Sequence, residues 1–369
     1  MGKRELLLVI GFVVAGVIVY QATAPPPEPG SRGVSFSRII DHIRREIRGT
    51  RASAEITRSL AYPINAGVTE IRFGGGFGEI TITGEARDDI TLDMRIVSNG
   101  ADEAEAKKWA NAAEVTVDTT ATGVTFRAKY PEEGRQQGYF TLKVPARIAV
   151  RMDQASNRAT VTNVAAVEMV TARGDTTIKQ VPGRVALSHI GGRLIVEDVG
   201  TLKLNGRRSE ATLTKIRGDL ALDLQNSEVL ASAVTGPVSV EARSSEVTLN
   251  KLDEARGPVR VNAVGGSVAL RGLTTEARVD ARNTEVDVEM SKPAPVTIYN
   301  EGDEPVDVTP AAGGYTLDAL ALNARIALPE GTLEVTESEN EQRANGAVNG
   351  GGPAITLRAN RGDINVRPK

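Results

Sequence analysis

The sequence predicts an all-β fold, a single-sheet-coil β-solenoid of about 18 residues per rung, and three observations carry that expectation. The first is a run of turn residues: Gly174, Gly192, Ser209, Ser227, Ser245, Gly266 and Thr284 succeed one another at intervals of 18, 17, 18, 18, 21 and 18 residues. The second is the set of apolar columns that appears when the chain is aligned on those turns. Seven residues before each turn stand Val167, Val185, Leu202, Leu220, Val238, Val259 and Ala277, and four after it Ile178, Val196, Leu213, Ala231, Leu249, Leu270 and Val288. The columns five before and two after, which include Leu222 and Val229, are equally apolar apart from Thr176. The third is composition: 4% aromatic residues and 37 glycines suit thin β layers filled by small branched side chains. One strand–turn–strand unit cannot bury its own apolar face. Stacking units about 4.8 Å apart pairs each strand with its neighbours and makes the columns a continuous core.

Taken in order, the chain begins with a cytoplasmic stub at 1–4 and a predicted transmembrane anchor at 5–24, read from the uncharged run Leu6 to Ala24, which is long enough as a helix to cross roughly 30 Å of hydrocarbon. Lys3 and Arg4 precede the run and no positive charge follows until Arg32, which puts the short end inside the cell. The expected location is therefore the cytoplasmic membrane, single-pass, with the body extracytoplasmic, in the periplasm or at the cell surface. Ala22-Thr23-Ala24 has the form of a signal-peptidase site, but Pro25 would follow the scissile bond, so the run is expected to be retained. Only four residues precede it, so a signal crossing the membrane would need other proteins.

A Pro-rich linker at 25–33 follows, and then a predicted amphipathic helix at 34–60, in which Ile39, Ile40, Ile43 and Ile47 form one stripe and Arg38, Arg44, Arg45 and Arg48 another. Residues 61–147 read as an N-terminal β region, with alternating segments at Ile80/Ile82, Ile90/Leu92/Met94, Val124/Phe126 and Phe140/Leu142/Val144. One helix interrupts it near 101–113, with Asp102 and Glu103 in the first turn. The regular solenoid spans 148–290, and Gly183, Gly200, Gly218, Gly236 and Gly257 mark a second turn in each rung. The one long interval places extra residues at Asp253–Arg256, where they can loop out without disturbing the columns. Residues 291–369 read as irregular rungs with a flexible loop near 336–352, whose composition is acidic and then Gly/Asn-rich. Ile355, Leu357, Ala359, Gly362, Ile364 and Val366 match the columns once more and predict a terminal rung.

The Gly74-Gly75-Gly76-Phe77-Gly78-Glu79-Ile80 strand, the Leu142-Lys143-Val144-Pro145 element and the closing Leu357-Arg358-Ala359-Asn360-Arg361-Gly362-Asp363-Ile364-Asn365-Val366 resemble the bacterial putative-adhesin β-strand-repeat family, a domain of unknown function, over roughly residues 68–369. The resemblance implies a fold and an exported or anchored location. It implies no catalytic residues.

Elementary chemistry narrows the function further. A formal net charge of -3 offers no clustered basic surface for nucleic acid, and the absence of cysteine excludes disulfides, thiolate metal sites and cysteine nucleophiles. Neither a nucleophile elbow, a zinc-protease motif nor a P-loop lysine is present, and no helix is read after Gly74–Gly78 to make a phosphate cradle. Of the two histidines, His42 reads as a solvated helix residue and His189 as a satisfied internal one, beside the space left by Gly206. Arg173-Gly174-Asp175, Arg217-Gly218-Asp219 and Arg361-Gly362-Asp363 fall at turns, where Gly-Asp is expected from backbone chemistry alone. Glu210, Glu228, Glu246 and Glu285 recur after the first turn, and Arg207, Arg243 and Arg282 are expected to pair with the first, third and fourth of them within the rung. No catalytic, cofactor-binding or metal site is thus expected and no cofactor. The chain reads as a non-catalytic, membrane-anchored envelope scaffold or adhesin-like binding module with an envelope protein or glycan partner. The alternatives are a glycan-acting enzyme of the envelope and an accessory component of envelope-stress signalling.

Overall fold

In the computed structural model, which describes residues 52–74, 77–132 and 135–368, all the strands belong to one hydrogen-bonded network. Residues 1–51 lie outside the described residues, and with them the stub, the predicted anchor at 5–24, the linker at 25–33 and the first part of the helix predicted at 34–60. Among the described residues no helix is long and apolar enough to cross a membrane.

Two parallel ladders organise the body. In the first, Val167 pairs with Val185, and a run of partners passes from Leu202 through Leu220, Val238, Val259 and Ala277 to Val296. In the second, Ala211, Val229, Val247, Val268, Val286 and Val306 stand in line. Period-two alternation sends every second residue inward, so both lines of partners are buried and merge into one core running from Val68 to Val366. The three-residue insertion is absorbed by a 3-10 turn at Leu252–Glu254, and the pairings Val240↔Val261 and Val247↔Val268 keep register around it.

Two corners bend each rung, and both use left-handed backbone. Arg208, Asn226, Ser244, Gly265 and Asn283 occupy it just before the first turn residue, and Gln180, Asp198, Lys215, Ala233, Lys251 and Gly272 occupy it six residues after the turn. The glycines predicted to mark the second turn have a different reason. They have ordinary φ, but a Cβ on Gly183 would stand 2.3 Å from the Ala165 carbonyl oxygen, and one on Gly236 2.4 Å from the Gly218 backbone. Rungs approach there more closely than any side chain permits. Gly236→Ala is accordingly expected to cost about 1 to 3 kcal/mol through forced backbone displacement, whereas Ser239→Ala, at an exposed position three residues on, should lie within about 0.5 kcal/mol of the parent in a urea melt.

Both ends of the stack depart from sequence order. At the C-terminal end, Ala354–Arg361 inserts between Val296–Gly302 and Tyr315–Leu322, pairing with both in parallel. Ile364–Val366 does the same between Val306–Thr309 and Ile326–Ala327. The last rung in sequence is therefore not the last in space, contrary to a stack that ends in chain order. The segment predicted as a loop near 336–352 is also corrected: Glu341–Val348 is an antiparallel strand along Tyr315–Leu322, and Thr336–Ser338 pairs back onto it. Its Gly/Asn-rich composition is that of an edge strand with one wet face, and Ala344 and Val348 supply the buried face.

At the N-terminal end the order is likewise shuffled. Phe77–Glu85 lies between Arg135–Pro145 and Ala155–Thr162, and Glu70–Gly74 between Gly123–Lys129 and Ala149–Met152. The helix predicted at 34–60 is corrected over its last part, because Ala52–Pro63 is a strand paired antiparallel with Asp89–Gly100. Ile56, Leu60 and Tyr62 recur at even spacing and meet Ile96, Leu92 and Ile90 across the ladder, a period that a helix cannot use. The interrupting helix is Glu103–Ala112, with the Asp102 side chain accepting from the Glu105 amide at 2.8 Å and Glu105 accepting from the Ala101 amide at 2.7 Å. Ala106 and Ala110 are its buried face, against the two strands just named.

Candidate functional site

The first corner carries a buried polar ladder, assembled because four rungs place a small hydroxyl residue there, Ser209, Ser227, Ser245 and Thr284. Ser227 Oγ accepts from the Ser209 amide at 3.2 Å and Ser245 Oγ from the Ser227 amide at 3.1 Å, while Ser227, Ser245 and Thr284 donate to the carbonyl two residues upstream in their own rung. Corner amides that the ladders cannot reach are satisfied in this way. His189 belongs to the same device. Its Nε2 lies 2.9 Å from the Gly174 carbonyl, which can only accept, so Nε2 carries the proton and Nδ1 accepts from Ser209 Oγ at 2.7 Å. Asn300 clamps the equivalent place in a later rung, its Nδ2 donating to the Thr284 and Glu304 carbonyls at 3.0 and 2.9 Å.

His189 is fully buried, and burial lowers its pKa below the ordinary 6.5, against smaller raising effects of the Gly174 carbonyl and Asp175. A Ser–His contact of this kind is structural, since neither group reaches solvent. The sign of its pH effect follows. Below 6.5 the unfolded imidazole takes up a proton before the folded one does, so a contribution present above 6.5 is lost as pH falls toward the lowered folded value. Thermal melts from about pH 7.5 to about pH 5.5 should show a steeper loss of stability in the parent than in His189→Gln, since ordinary carboxylates titrate lower. Parallel curves would count against a neutral buried imidazole.

On the outer surface, Glu210, Glu228 and Glu246 stack in register on successive rungs, and Ser267 separates them from Glu285. The expected pairing of Arg207, Arg243 and Arg282 with them is not made: among the described residues none of the three arginines forms an ion pair. Glu210 instead faces Arg193 of the preceding rung at 3.9 Å, both side chains more than half exposed. A left-handed residue at Arg208, Ser244 and Asn283 separates each arginine from its glutamate, and an exposed pair there would be worth only about 0 to 1 kcal/mol. The three Arg-Gly-Asp sequences are engaged at the turns themselves, as Asp175 accepts from the Arg193 amide at 3.4 Å, Arg217 pairs with Asp198, Arg361 pairs with Asp303 at 3.1 Å, and Asp363 accepts from the Arg325 amide at 2.9 Å. His42 lies outside the described residues, and no group of three or more acidic or histidine side chains among the described residues is placed to hold a metal ion.

The feature that sequence reasoning missed is a groove of about 640 Å³ on the outside of the first ladder. Two outward columns wall it. Asp223, Glu241, Asn262, Asp280, Tyr299, Arg358 and Leu320 form one in unbroken register; Arg243, Val264, Arg282, Glu301, Asn360 and Leu322 form the other. Its floor is the backbone between them, at Ala242, Ala263, Ala281, Asn300 and Ala359, whose side chains are buried on the other face. Seven strands at about 4.8 Å spacing give the groove a length of roughly 30 Å along the stacking axis. Val264, Tyr299 and Leu322, exposed by 51, 40 and 37%, are three of the five large apolar side chains most open to solvent among the described residues, and all three line it.

Several of its charges are already engaged. Arg278 grips Asp280 with two hydrogen bonds of 2.7 and 2.9 Å and stands 5.2 Å over the Tyr299 ring. Asn262 donates to Glu241 at 3.2 Å, and Arg358 pairs with Asp318, whose carboxyl it holds below the usual range. Asp223, Arg243, Arg282 and Glu301 form no ion pair among the described residues. The outward positions of Val264, Tyr299 and Leu322 in a two-residue period were the signal available in sequence. Only the inserted C-terminal rung, however, brings Leu322 beside Asn360.

No protein-family model matches the chain, and no curated protein matches it either. Among solved structures it is similar to a putative cell adhesion protein from Clostridium sporogenes, at 12% identity and TM-score 0.22, over 86% of this chain and 100% of that one. A putative lipid binding protein from Parabacteroides distasonis matches at 11% identity and TM-score 0.33, over 85% and 96%. A putative adhesin from the same organism matches at 10% identity and TM-score 0.33, over 67% and 95%. With TM-scores this low, none of these likenesses carries an argument about fold or activity.

Proposed function

We propose that this chain is a non-catalytic β-solenoid binding module of the bacterial cell envelope, held to the cytoplasmic membrane by residues 5–24 with its body outside the cytoplasm. The anchor reading rests on the apolar run, its flanking charges and Pro25. The binding reading rests on one observation, the concentration of exposed Val264, Tyr299 and Leu322 in a groove whose walls are regular strands and whose shape therefore exists before any ligand arrives. The enzyme alternative draws no support from the same walls. Asp223 and Glu241 stand in one column on one side of the groove, and of the two acids that do face across it, Asp280 and Glu301, Asp280 is held by two hydrogen bonds from Arg278, whereas glycoside hydrolysis needs two available acids flanking the scissile bond.

The absence of native cysteine makes the test clean. Full-length chains carrying Val264→Cys in the groove or Leu230→Cys on the second ladder, 43% exposed, would be treated with a membrane-impermeant maleimide. Both should label with the inner membrane intact, and envelope material from the source cell should slow labelling at 264 and leave 230 unaffected. Labelling that needs a permeabilised inner membrane would refute the location, and equal rates at both positions with and without envelope material would refute the groove as the binding surface.

A further inference from the structure

We propose that the ligand of this groove is an uncharged linear polysaccharide lying along the stacking axis, an inference that rests on the binding-module reading above and names its chemistry. The shape favours a polymer, since the groove is long, shallow and presents a new pair of outward side chains at every rung. A two-sugar repeat of an extended glycan is about as long as two rungs are apart at their spacing of about 4.8 Å, so successive repeats would meet successive equivalent positions.

The charge balance argues for a neutral chain. Four carboxylates line the groove, Asp223, Glu241, Asp280 and Glu301, against the guanidiniums of Arg243, Arg282 and Arg358, and two of these charges are neutralised by partners outside it, Asp280 by Arg278 and Arg358 by Asp318. With charges of both signs interleaved and a net excess of a single carboxylate, neither a polyanion nor a polycation is drawn in. The unpaired members of both signs offer donors and acceptors side by side, which is what a sugar hydroxyl uses because it donates and accepts at once. Tyr299 and Val264 supply apolar surface for the C–H faces of the rings.

Other polymers fit worse. A peptide added as a strand needs an open sheet edge, whereas the groove floor is the face of strands that each have partners on both sides. A nucleic acid needs an excess of cations, which the groove lacks.

The test is calorimetric titration of the full-length chain in detergent with cellohexaose, xylohexaose and chitohexaose as neutral probes and polygalacturonate as the acidic comparator. At least one neutral probe should bind with an affinity that changes little between low and high salt. Tyr299→Ala and Val264→Asp should each weaken it by about tenfold or more, and Leu230→Asp, off the groove, should not. Binding of polygalacturonate alone, abolished at high salt, would overturn the assignment in favour of an acidic chain. Failure of every neutral probe while envelope material still protects the cysteine at 264 would overturn the glycan assignment and leave the binding module standing. Loss of that protection as well would remove both.

Discussion

Deleting residues 354–369 is expected to melt residues 310–350 while the array before them persists. The deletion removes Ile355, Leu357, Ile364 and Val366, all nearly or fully buried, each worth about 1.5 to 3 kcal/mol by burial alone. It also removes Arg358 from Asp318 and Arg367 from Asp307, which it meets at 2.8 Å. More important than the sum is the position, because among the described residues the lost rung is the only strand pairing that joins Val296–Thr309 to Tyr315–Ala327 in both ladders. Strands 315–322 and 341–348 would remain an isolated antiparallel pair, too small to be stable alone. In a stack each rung leans only on its neighbours, so residues 149–290 should keep their core. Limited proteolysis should cut between 310 and 350 within the time that the parent stays whole, with most of the β circular dichroism retained. A truncated chain as resistant as the parent would show that the terminal rung is not inserted.

Leu222→Ala is the second large effect, expected at about 2 to 5 kcal/mol through lost burial and the cavity left behind. Leu222 is 3% exposed, between Leu204 and Val240 of the adjacent rungs, so a cavity there is closed on both sides by the stack and cannot collapse easily. Leu222→Asp should do worse, since an unpaired carboxylate would be buried in an apolar column. Gln225, three residues on and outward, should accept Lys with a change within about 0.5 kcal/mol. Denaturant melts of the three variants separate these outcomes, and equal losses at 222 and 225 would mean that inside and outside are wrongly assigned.

The inward columns were legible because apolar side chains at fixed spacing from a turn have one physical use, and each column named from Val167 to Val288 is buried. What was not legible has particular causes. The left-handed corners at Gln180, Lys215 and Ala233 carry none of the residues that favour that backbone, since tertiary pairing on both sides imposes it. The strand 341–348 hid behind an edge composition. The insertion of 354–366 was invisible for a deeper reason: every rung matches the same columns, so pattern alone cannot tell which rung lies beside which. The groove inherits that blindness. Its walls are outward residues, free of the core's constraint, and its far end joins Glu301, Asn360 and Leu322 from rungs that are not consecutive in the chain.

Cross-linking tests that arrangement most directly. Paired Cα atoms on adjacent parallel strands lie about 5 Å apart, within disulfide reach, whereas strands two rungs apart lie about 10 Å apart and beyond it. In the cysteine-free chain, Tyr299→Cys with Arg358→Cys and Arg358→Cys with Leu320→Cys should each form a disulfide on mild oxidation, seen as a faster-migrating band on a non-reducing gel, and Tyr299→Cys with Leu320→Cys should not. A bond between 299 and 320 with none to 358 would mean that the rungs stack in sequence order, and the groove as described would not exist.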